Sequence, residues 1–360
     1  MAAHRSSAWT WLSPLAGWIL LAAALVYKHP LLDVALGAGL VACVLAAVHH
    51  AEVVAHRVGE PFGSLVLALA VTIIEVALIV SLMLSGGEAT AALARDTIFA
   101  AIMIILNGMV GLCLLSGSSR HGEQAFGHYG VNAVLATLAT MSVITLVLPN
   151  ATTTIAGPIY SNSQLVMIAI ASLGLYGAFV LVQTVRHRDY FLPEGDAARD
   201  EDVHAPPPSK RVALFSGVLL LFCLGAVVLL AKKLAPGIET AIVAAGAPKA
   251  VVGIIIAAIV LMPESLAALK SARSNRLQTS LNLALGSALA SIGLTIPAVA
   301  IVSIATGWTL ILGLDIKGMV LLVLTLLVAT LSLGTGRTTI LQGAVHLVIF
   351  AVYLFTTIVP

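Results

Sequence analysis

Two acidic residues lie deep inside apolar stretches of the sequence. Glu75 stands in LVLALAVTIIEVALIVSLML, and Glu264 stands in GIIIAAIVLMPES. An ionised carboxylate within a bilayer costs at least about 2.5–3.5 kcal/mol, so each side chain must face a protein or water-filled interior. Around Glu75 no Lys or Arg lies at a similar depth. Such a carboxylate is suited to binding a mobile cation or a proton, and a protonated structural carboxyl is the alternative.

Neutral oxygen-bearing residues occur in the apolar runs that follow each acid. The candidate cation or proton ligands of this kind are Asn107, Asn282, Ser287 and Ser291. The two serines share a helix face with Ser280 and Thr295, because the separations along the chain are 7, 4 and 4 residues. Pro263 frees a backbone carbonyl one turn before Glu264. Hard cations prefer this mixture of oxygens, whereas close helix packing is the alternative reason for small hydroxylated residues.

A further set of polar residues lies nearer the ends of the apolar runs. The candidates for vestibule or gating roles are Glu52, Glu239, Asp96 and His50. His49, Glu52 and His56 fall at i, i+3 and i+7 on one helix face, a spacing also compatible with zinc ligation. No HExxH motif accompanies them, so a proton relay near the inner mouth is the favoured interpretation.

The composition predicts an all-α integral membrane protein. Hydrophobic residues make up 60% of the 360 positions and charged residues 9%, whereas a soluble domain is about a quarter charged. A spanning helix needs about 20 apolar residues. About eleven such runs are present, near 11–28, 31–55, 61–84, 96–117, 129–149, 163–185, 211–231, 249–270, 278–304, 318–335 and 338–358.

The basic residues predict the orientation. With the N-terminus inside, 12 of the 18 Lys and Arg residues fall in inner segments and 6 in outer ones. This bias favours a cytoplasmic N-terminus and an external C-terminus. We expect a prokaryotic inner membrane, since no eukaryotic-type targeting extension is seen. The thin spread of basic residues, with a net charge of +2, argues against nucleic-acid binding.

The predicted organisation is a first helix and two repeats of five helices. The first helix covers 1–30, the repeats cover 31–186 and 211–360, and an acidic cytoplasmic linker covers 187–210. The linker, which holds six of the 16 acids, is either a solvated connection or a cation-sensing segment. The halves echo each other, since 23 residues separate Glu52 from Glu75 and 25 separate Glu239 from Glu264. Because five spans are odd, the second repeat is inverted, which is typical of transporters.

Three stretches resemble the calcium/proton exchanger branch of the cation/calcium exchanger superfamily, and within it the bacterial ChaA-type antiporter group. They are GEPFGSLVLALAVTIIEVALIVSLM, RDTIFAAIMIILNGMVGL and PESLAALKSARSNRLQTSLNLALGSALASIGLTIPA. The resemblance implies an eleven-helix fold with two inverted five-helix repeats. It also implies that Glu75 and Glu264 are paired metal-ligating acids that take up cation or protons in turn.

The resemblance departs from the family pattern one turn before each acid. The family's acid commonly ends a Gly-Asn-x-x-Glu motif, but here Thr72 and Leu261 occupy the asparagine positions. Two amide ligands are therefore missing. This keeps Na⁺ or K⁺ exchange open beside Ca²⁺ exchange, with Thr72 as a candidate ligand.

We therefore expect a secondary active cation/proton antiporter that is not an enzyme and needs no cofactor. Ca²⁺/H⁺ exchange is the first expectation, and Na⁺(K⁺)/H⁺ exchange of the same fold is the alternative. A cation channel or a membrane metalloenzyme is less favoured. The expected partners are inorganic cations, protons and the lipid bilayer. No pattern indicates an oligomeric state.

Overall fold

The computed structural model describes residues 8–27, 29–59, 62–192, 207–246, 248 and 250–359. Nearly all of this part of the chain is helical. Its α-helices are α1 Ala8–Val26, α2 Pro30–Val58, α3 Phe62–Gly86, α4 Leu93–Met103, α5 Val110–His121, α6 His128–Ser142, α7 Asn162–Leu181, α8 Lys210–Ala244, α9 Ala250–Arg273, α10 Leu277–Thr306, α11 Ile316–Leu333 and α12 Ile340–Ile358.

The helices confirm the predicted membrane fold. By length and composition, ten helical segments within the described residues are able to cross a membrane, and α3 adds a shorter apolar stretch, Leu69–Leu84. Ten of the predicted spans agree with these helices to within four residues at each end. The order of elements is one N-terminal helix, five spans, the linker region and five more spans.

Helix α8 is longer than predicted. It was expected to end near residue 231, but it continues to Ala244 with Pro236 inside it. Lys232 and Lys233 lie beyond the predicted end of this span, but they are exposed side chains of this helix. The buried residues Leu230 and Leu234 are four positions apart, so the packed face continues past the lysines.

Several spans are regular helices interrupted or ended by π-helical turns. Ile104–Met109 is a π-helical turn that joins α4 and α5 into a single span, Leu93–His121. Val143–Val147 follows α6 and Val182–Arg186 follows α7 in the same form. Because π-helical turns are rare and often mark functional sites, the first of them, which contains Asn107, is of particular interest.

Two glycines end corresponding helices of the two predicted repeats. Gly59 follows α2 with a φ of 77°, and Gly246 follows α8 with a φ of 73°. Only glycine adopts positive φ at little cost, which suits it to ending a helix. Each glycine lies seven residues after a candidate vestibule acid, Glu52 or Glu239. The repeat relation itself stays a prediction.

The helices form two compact units. The first contains α1, α2, α3 and α8, and the second contains α4 to α7, α9 from Gly253, and α10 to α12. Each unit therefore takes helices from both predicted repeats. In the first unit α2 packs against α1, α3 and α8, and in the second α10 packs against α4, α5, α6 and α7.

Close helix contacts in the second unit depend on small residues. A Cβ on Gly343 of α12 would lie 2.5 Å from the backbone nitrogen of Leu115 in α5. On the same interface, a Cβ on Gly111 would lie 3.0 Å from the side chain of His346. Replacement of either glycine would push α12 away from α5.

Segments that connect the spans of the second unit are held by hydrogen bonds. Strand β1 (Gln124–Ala125) pairs antiparallel with β2 (Arg337–Thr338). The hydroxyl of Tyr160 donates to the carbonyl of Ile144 over 2.5 Å, and burial raises the pKa of Tyr160 to about 12. The tyrosine therefore stays neutral, and keeps its donor hydrogen, throughout the physiological pH range.

Candidate functional site

Glu75 lies near the middle of α3 and belongs to the first unit. Its side chain is only 3% exposed. Thr72, one turn earlier, is also buried. Residues at i and i+3 share a helix face, so this face of α3 carries a hydroxyl beside a carboxylate. Hydroxyl and carboxylate oxygens are both of the kind that hard cations bind, and a carboxylate also accepts a proton. The ligand roles of Thr72 and Glu75 stay predictions.

Glu264 lies near the middle of α9, in the part that belongs to the second unit, and is 6% exposed. Leu261, one turn earlier, is a buried apolar residue in the place that Thr72 occupies before Glu75. Pro263 lies inside the helix and has no N–H to donate to the carbonyl of Ile259. On α9 no side-chain oxygen lies one turn before the acid, and the carbonyl of Ile259 is without its usual helical donor.

The serine stripe lies on α10, which packs against four other helices of the second unit. Ser280, Ser291 and Thr295 are buried, and Ser287 is half-buried. Gly293 lies on the same helix, where a Cβ would approach the Cβ of Tyr176 in α7 to 2.6 Å. The stripe thus combines hydroxyl oxygens with close helix packing, and the ligand role of Ser287 and Ser291 stays a prediction.

Asn107 is fully buried in the π-helical turn of the second unit, with 0% exposure. Its Nδ2 donates to Oγ1 of Thr325 in α11 over 2.9 Å. Its Oδ1 lies 3.2 Å from Nδ1 of His346 in α12. The amide of Asn107 therefore joins its own span, Leu93–His121, to α11 and α12. Its predicted role as a cation ligand stays untested.

His346 is a buried polar residue that the sequence analysis missed. It is 0% exposed, and its Nε2 lies 2.7 Å from Oγ of Ser332 in α11. Because Asn107 uses its amide nitrogen towards Thr325, its Oδ1 accepts from the Nδ1–H of His346. In the neutral ring Nε2 then accepts from the Ser332 hydroxyl. The available signal was a titratable residue inside a predicted span.

Asn282 lies in the second turn of α10, where it makes two contacts. Its Oδ1 accepts from Nε2 of Gln278 over 2.8 Å, and its Nδ2 donates to the carbonyl of Phe191 over 2.6 Å. Phe191 ends the short 3₁₀ helix Arg188–Phe191 at the start of the linker. Asn282 thus ties that segment to α10, and its predicted role as a cation ligand stays untested.

The candidate vestibule residues belong to three helices, α2, α4 and α8. Asp96 in α4 pairs with its neighbour Arg95 at 2.8 Å, and Arg95 Nη1 also donates to the carbonyl of Gly313 over 3.2 Å. In α2, Glu52 is exposed, whereas His50 is buried with its Nε2 3.1 Å from the carbonyl of Thr10. Glu239 lies within α8, and its side chain falls outside the described residues.

The zinc hypothesis for α2 gains no support. In the described part of the chain, no group of three His, Cys, Asp or Glu side chains is arranged to hold a metal ion. The ring of His49 instead packs 5.9 Å from that of Trp9 and 5.6 Å from that of His50. The three cysteines are free and buried.

The fold and its buried acids define an ion-coupled membrane transporter. Carboxylates inside spanning helices mark ion and proton pathways, and a broken or proline-containing helix at membrane depth supplies backbone oxygens to ions. Residues 28–185 and 215–359 match the sodium/calcium exchanger protein family. The chain belongs to this family.

Two bacterial relatives extend the match along most of the chain. The protein y4hA of Sinorhizobium fredii is 51% identical over 356 residues, covering 98% of this chain and 96% of the relative. The sodium-potassium/proton antiporter ChaA of Escherichia coli is 39% identical over 319 residues, covering 88% and 86%. The predicted resemblance to ChaA-type antiporters is thereby confirmed.

Solved structures share the fold at low sequence identity. An H⁺/Ca²⁺ exchanger, CAX, has a TM-score of 0.70 at 16% identity, covering 96% of this chain and 88% of the other. Native YfkE has a TM-score of 0.72 at 18% identity, covering 98% and 100%. At such identities the likeness supports the architecture alone.

Proposed function

We propose that this protein is a cation/proton antiporter in which Glu75 and Glu264 bind the cation or protons in turn. The observation that carries the proposal is the burial of one carboxylate in the middle of each of two spanning helices, α3 and α9. A protonated carboxyl is neutral and has given up its charge, whereas the ionised form attracts a cation. Occupancy by proton and by cation therefore exclude each other.

We propose Na⁺ and K⁺ as the first ions to test and Ca²⁺ as the second. The 39% identical relative is named a sodium-potassium/proton antiporter, while the H⁺/Ca²⁺ exchanger shares only 16% identity. Ca²⁺ takes about 6–8 oxygen ligands. The buried Leu261 removes one side-chain oxygen beside Glu264, which favours a less demanding cation.

The test is proton flux in proteoliposomes with an acidic lumen, challenged in turn with Na⁺, K⁺ and Ca²⁺. The unmodified chain should alkalinise the lumen with at least one cation. Glu75→Gln and Glu264→Gln should each reduce the rate at least about a hundredfold, because glutamine accepts neither the proton nor the full cation charge.

Glu88→Gln is the matched control. Glu88 is an exposed carboxylate in the 3₁₀ turn Gly87–Thr90, outside the spans, and its replacement should leave the flux unchanged. If Glu75→Gln or Glu264→Gln retains the full exchange rate, the assignment of that glutamate would be overturned. Cation flux that persists without any proton or counter-ion gradient would favour a channel instead.

We further propose a prokaryotic inner membrane with the N-terminus in the cytoplasm. The charge bias of the loops supports this orientation, since Lys and Arg accumulate on the inner side. A reporter that fluoresces only in the cytoplasm, fused after Pro360, should stay dark, and the same reporter fused before Met1 should be bright. The opposite result would reverse the orientation.

A further inference from the structure

A cavity with a basic rim lies at the end of α5 and α9 in the second unit. Its volume is about 530 Å³, and its lining includes Arg120, His121, Lys270 and Arg273. Arg120 and His121 belong to the last turn of α5, and Lys270 and Arg273 to the last turn of α9. Three of these side chains carry a permanent positive charge.

One wall of the cavity is apolar. Leu266 and Leu269 also line it, and Leu266 is 58% exposed. Together with Lys270 and Arg273 they stand at i, i+3, i+4 and i+7, which is a single face of α9. This face changes along the helix from apolar, within the spanning segment, to basic at its end. The same order of apolar and charged groups occurs in a phospholipid at the membrane interface.

The basic groups have few acidic partners. Among the described residues, Arg120, Lys270 and Arg273 form no ion pair, and the nearby acid Glu123 pairs with Arg337 at 3.4 Å. Arg273 donates through Nε to Oγ of Ser116 over 2.7 Å. That contact fixes the guanidinium against α5 and leaves its Nη groups to donate elsewhere.

Side-chain donors offset the negative C-terminal end of α9. A carbonyl only accepts, so Nε2 of His121 donates to the carbonyl of Arg273 over 2.9 Å. Nε2 of Gln124 donates to the carbonyl of Ala272 over 3.1 Å. Carbonyls at a helix C-terminus would otherwise repel an anion, so these two bonds make the rim more suitable for one.

We propose that this cavity binds a phosphate group, carried by an anionic phospholipid of the surrounding membrane. The phosphate lies between Arg120, Lys270 and Arg273, and the acyl chains follow Leu266 along α9. Basic pockets beside spanning helices are suited to such headgroups, and guanidinium groups bind phosphate through paired hydrogen bonds. The inference stands apart from the proposed transport function, because it concerns binding alone.

The test uses the purified full chain in detergent, titrated with phosphatidylglycerol and followed by native mass spectrometry and thermal unfolding. Binding should saturate and should weaken with added salt. Phosphatidylcholine with the same acyl chains should bind much more weakly. The triple variant R120Q/K270Q/R273Q should bind phosphatidylglycerol about a hundredfold more weakly, and K270Q alone about fivefold.

The control variant is K232Q/K233Q, which removes two exposed charges of α8 that do not line the cavity. It should bind as the unmodified chain does. R120K/R273K keeps the charge but loses the paired hydrogen bonds of the guanidinium groups, so its affinity should lie between those of the unmodified chain and the triple variant. Equal binding of the two lipids, or undiminished binding by the triple variant and by K270Q, would overturn the proposal. Inorganic phosphate is the last probe. If it binds as tightly as phosphatidylglycerol does, and the triple variant no longer binds it, the lipid assignment would be overturned.

Discussion

Asn107 and Asn282 carry the same side chain in the same compact unit, but their surroundings differ. Asn107 is fully buried in a π-helical turn, where its amide meets only side chains, those of Thr325, His346 and Met103. Asn282 is half-buried on the regular helix α10, where its amide meets one side chain and the backbone carbonyl of Phe191.

The difference follows from position along the span. In the middle of a membrane, the backbone groups of neighbouring helices are already used within each helix, so an amide finds partners only among side chains. Near a helix end, loops and short turns offer carbonyls without helical partners. An amide at mid-span therefore joins spans to each other, whereas one near the end fixes a connecting segment.

Asn107→Leu is expected to have the largest effect of the changes that test this comparison. Leucine has a similar volume but leaves the Thr325 hydroxyl and the His346 ring without their amide partner. A buried polar group that loses its partner costs about 1–3 kcal/mol. We expect a loss of about 3 kcal/mol in unfolding free energy, measured by thermal unfolding in detergent.

The matched control for Asn107→Leu is Asn162→Leu. Asn162 is an exposed residue at the start of α7, so the same chemical change removes no buried contact. Its expected effect is below about 0.5 kcal/mol. Equal stability of the two variants would show that the amide of Asn107 holds no spans together.

A double-mutant cycle with His346→Phe tests the hydrogen bond between Asn107 and His346, with a smaller expected effect. Asn107→Leu leaves Nδ1 of His346 without its acceptor, and His346→Phe leaves Oδ1 of Asn107 without its donor. The double change Asn107→Leu/His346→Phe removes both groups, so neither is left unpaired. We expect the double variant to lose about 1 kcal/mol less than the sum of the two single losses. Strict additivity of the two losses would contradict the hydrogen bond between these residues.

The extents of most spans could be predicted from the sequence. Bilayer thickness sets the length of each apolar run, so ten predicted spans match the helices to within four residues. Helix α8 is the exception, because the charged residues Lys232 and Lys233 interrupt its apolar run although the helix continues past them. Their long side chains stay exposed while the opposite face of the helix remains packed.

The partners of the site residues could not be predicted from the sequence. Glu75 and Glu264 were found because a carboxylate in an apolar run is a local signal. The contact between Asn107 and Thr325 joins positions 218 residues apart and depends on how three helices pack. No sequence pattern marks the π-helical turn that places Asn107 there. His346 carries the same local signal as the acids, a titratable group inside an apolar run.

Asn282→Ala is expected to have the smallest effect on stability, but it separates the two roles of this residue. The change removes the donor to the Phe191 carbonyl and the acceptor of Gln278, at a cost of about 1 kcal/mol. Loosening of the 3₁₀ helix Arg188–Phe191 should speed protease cleavage between residues 187 and 210 by about three- to tenfold.

The cation concentration that gives half-maximal proton flux is the second readout for Asn282→Ala, with Thr279→Ala as the control. Thr279 is exposed on the neighbouring turn of α10, so its replacement should change neither cleavage nor flux. If Asn282 fixes the linker segment, cleavage changes while the half-maximal concentration does not, because no cation ligand is lost. If that concentration instead rises at least about tenfold with unchanged cleavage, Asn282 is a cation ligand, and its position near the helix end no longer explains its role.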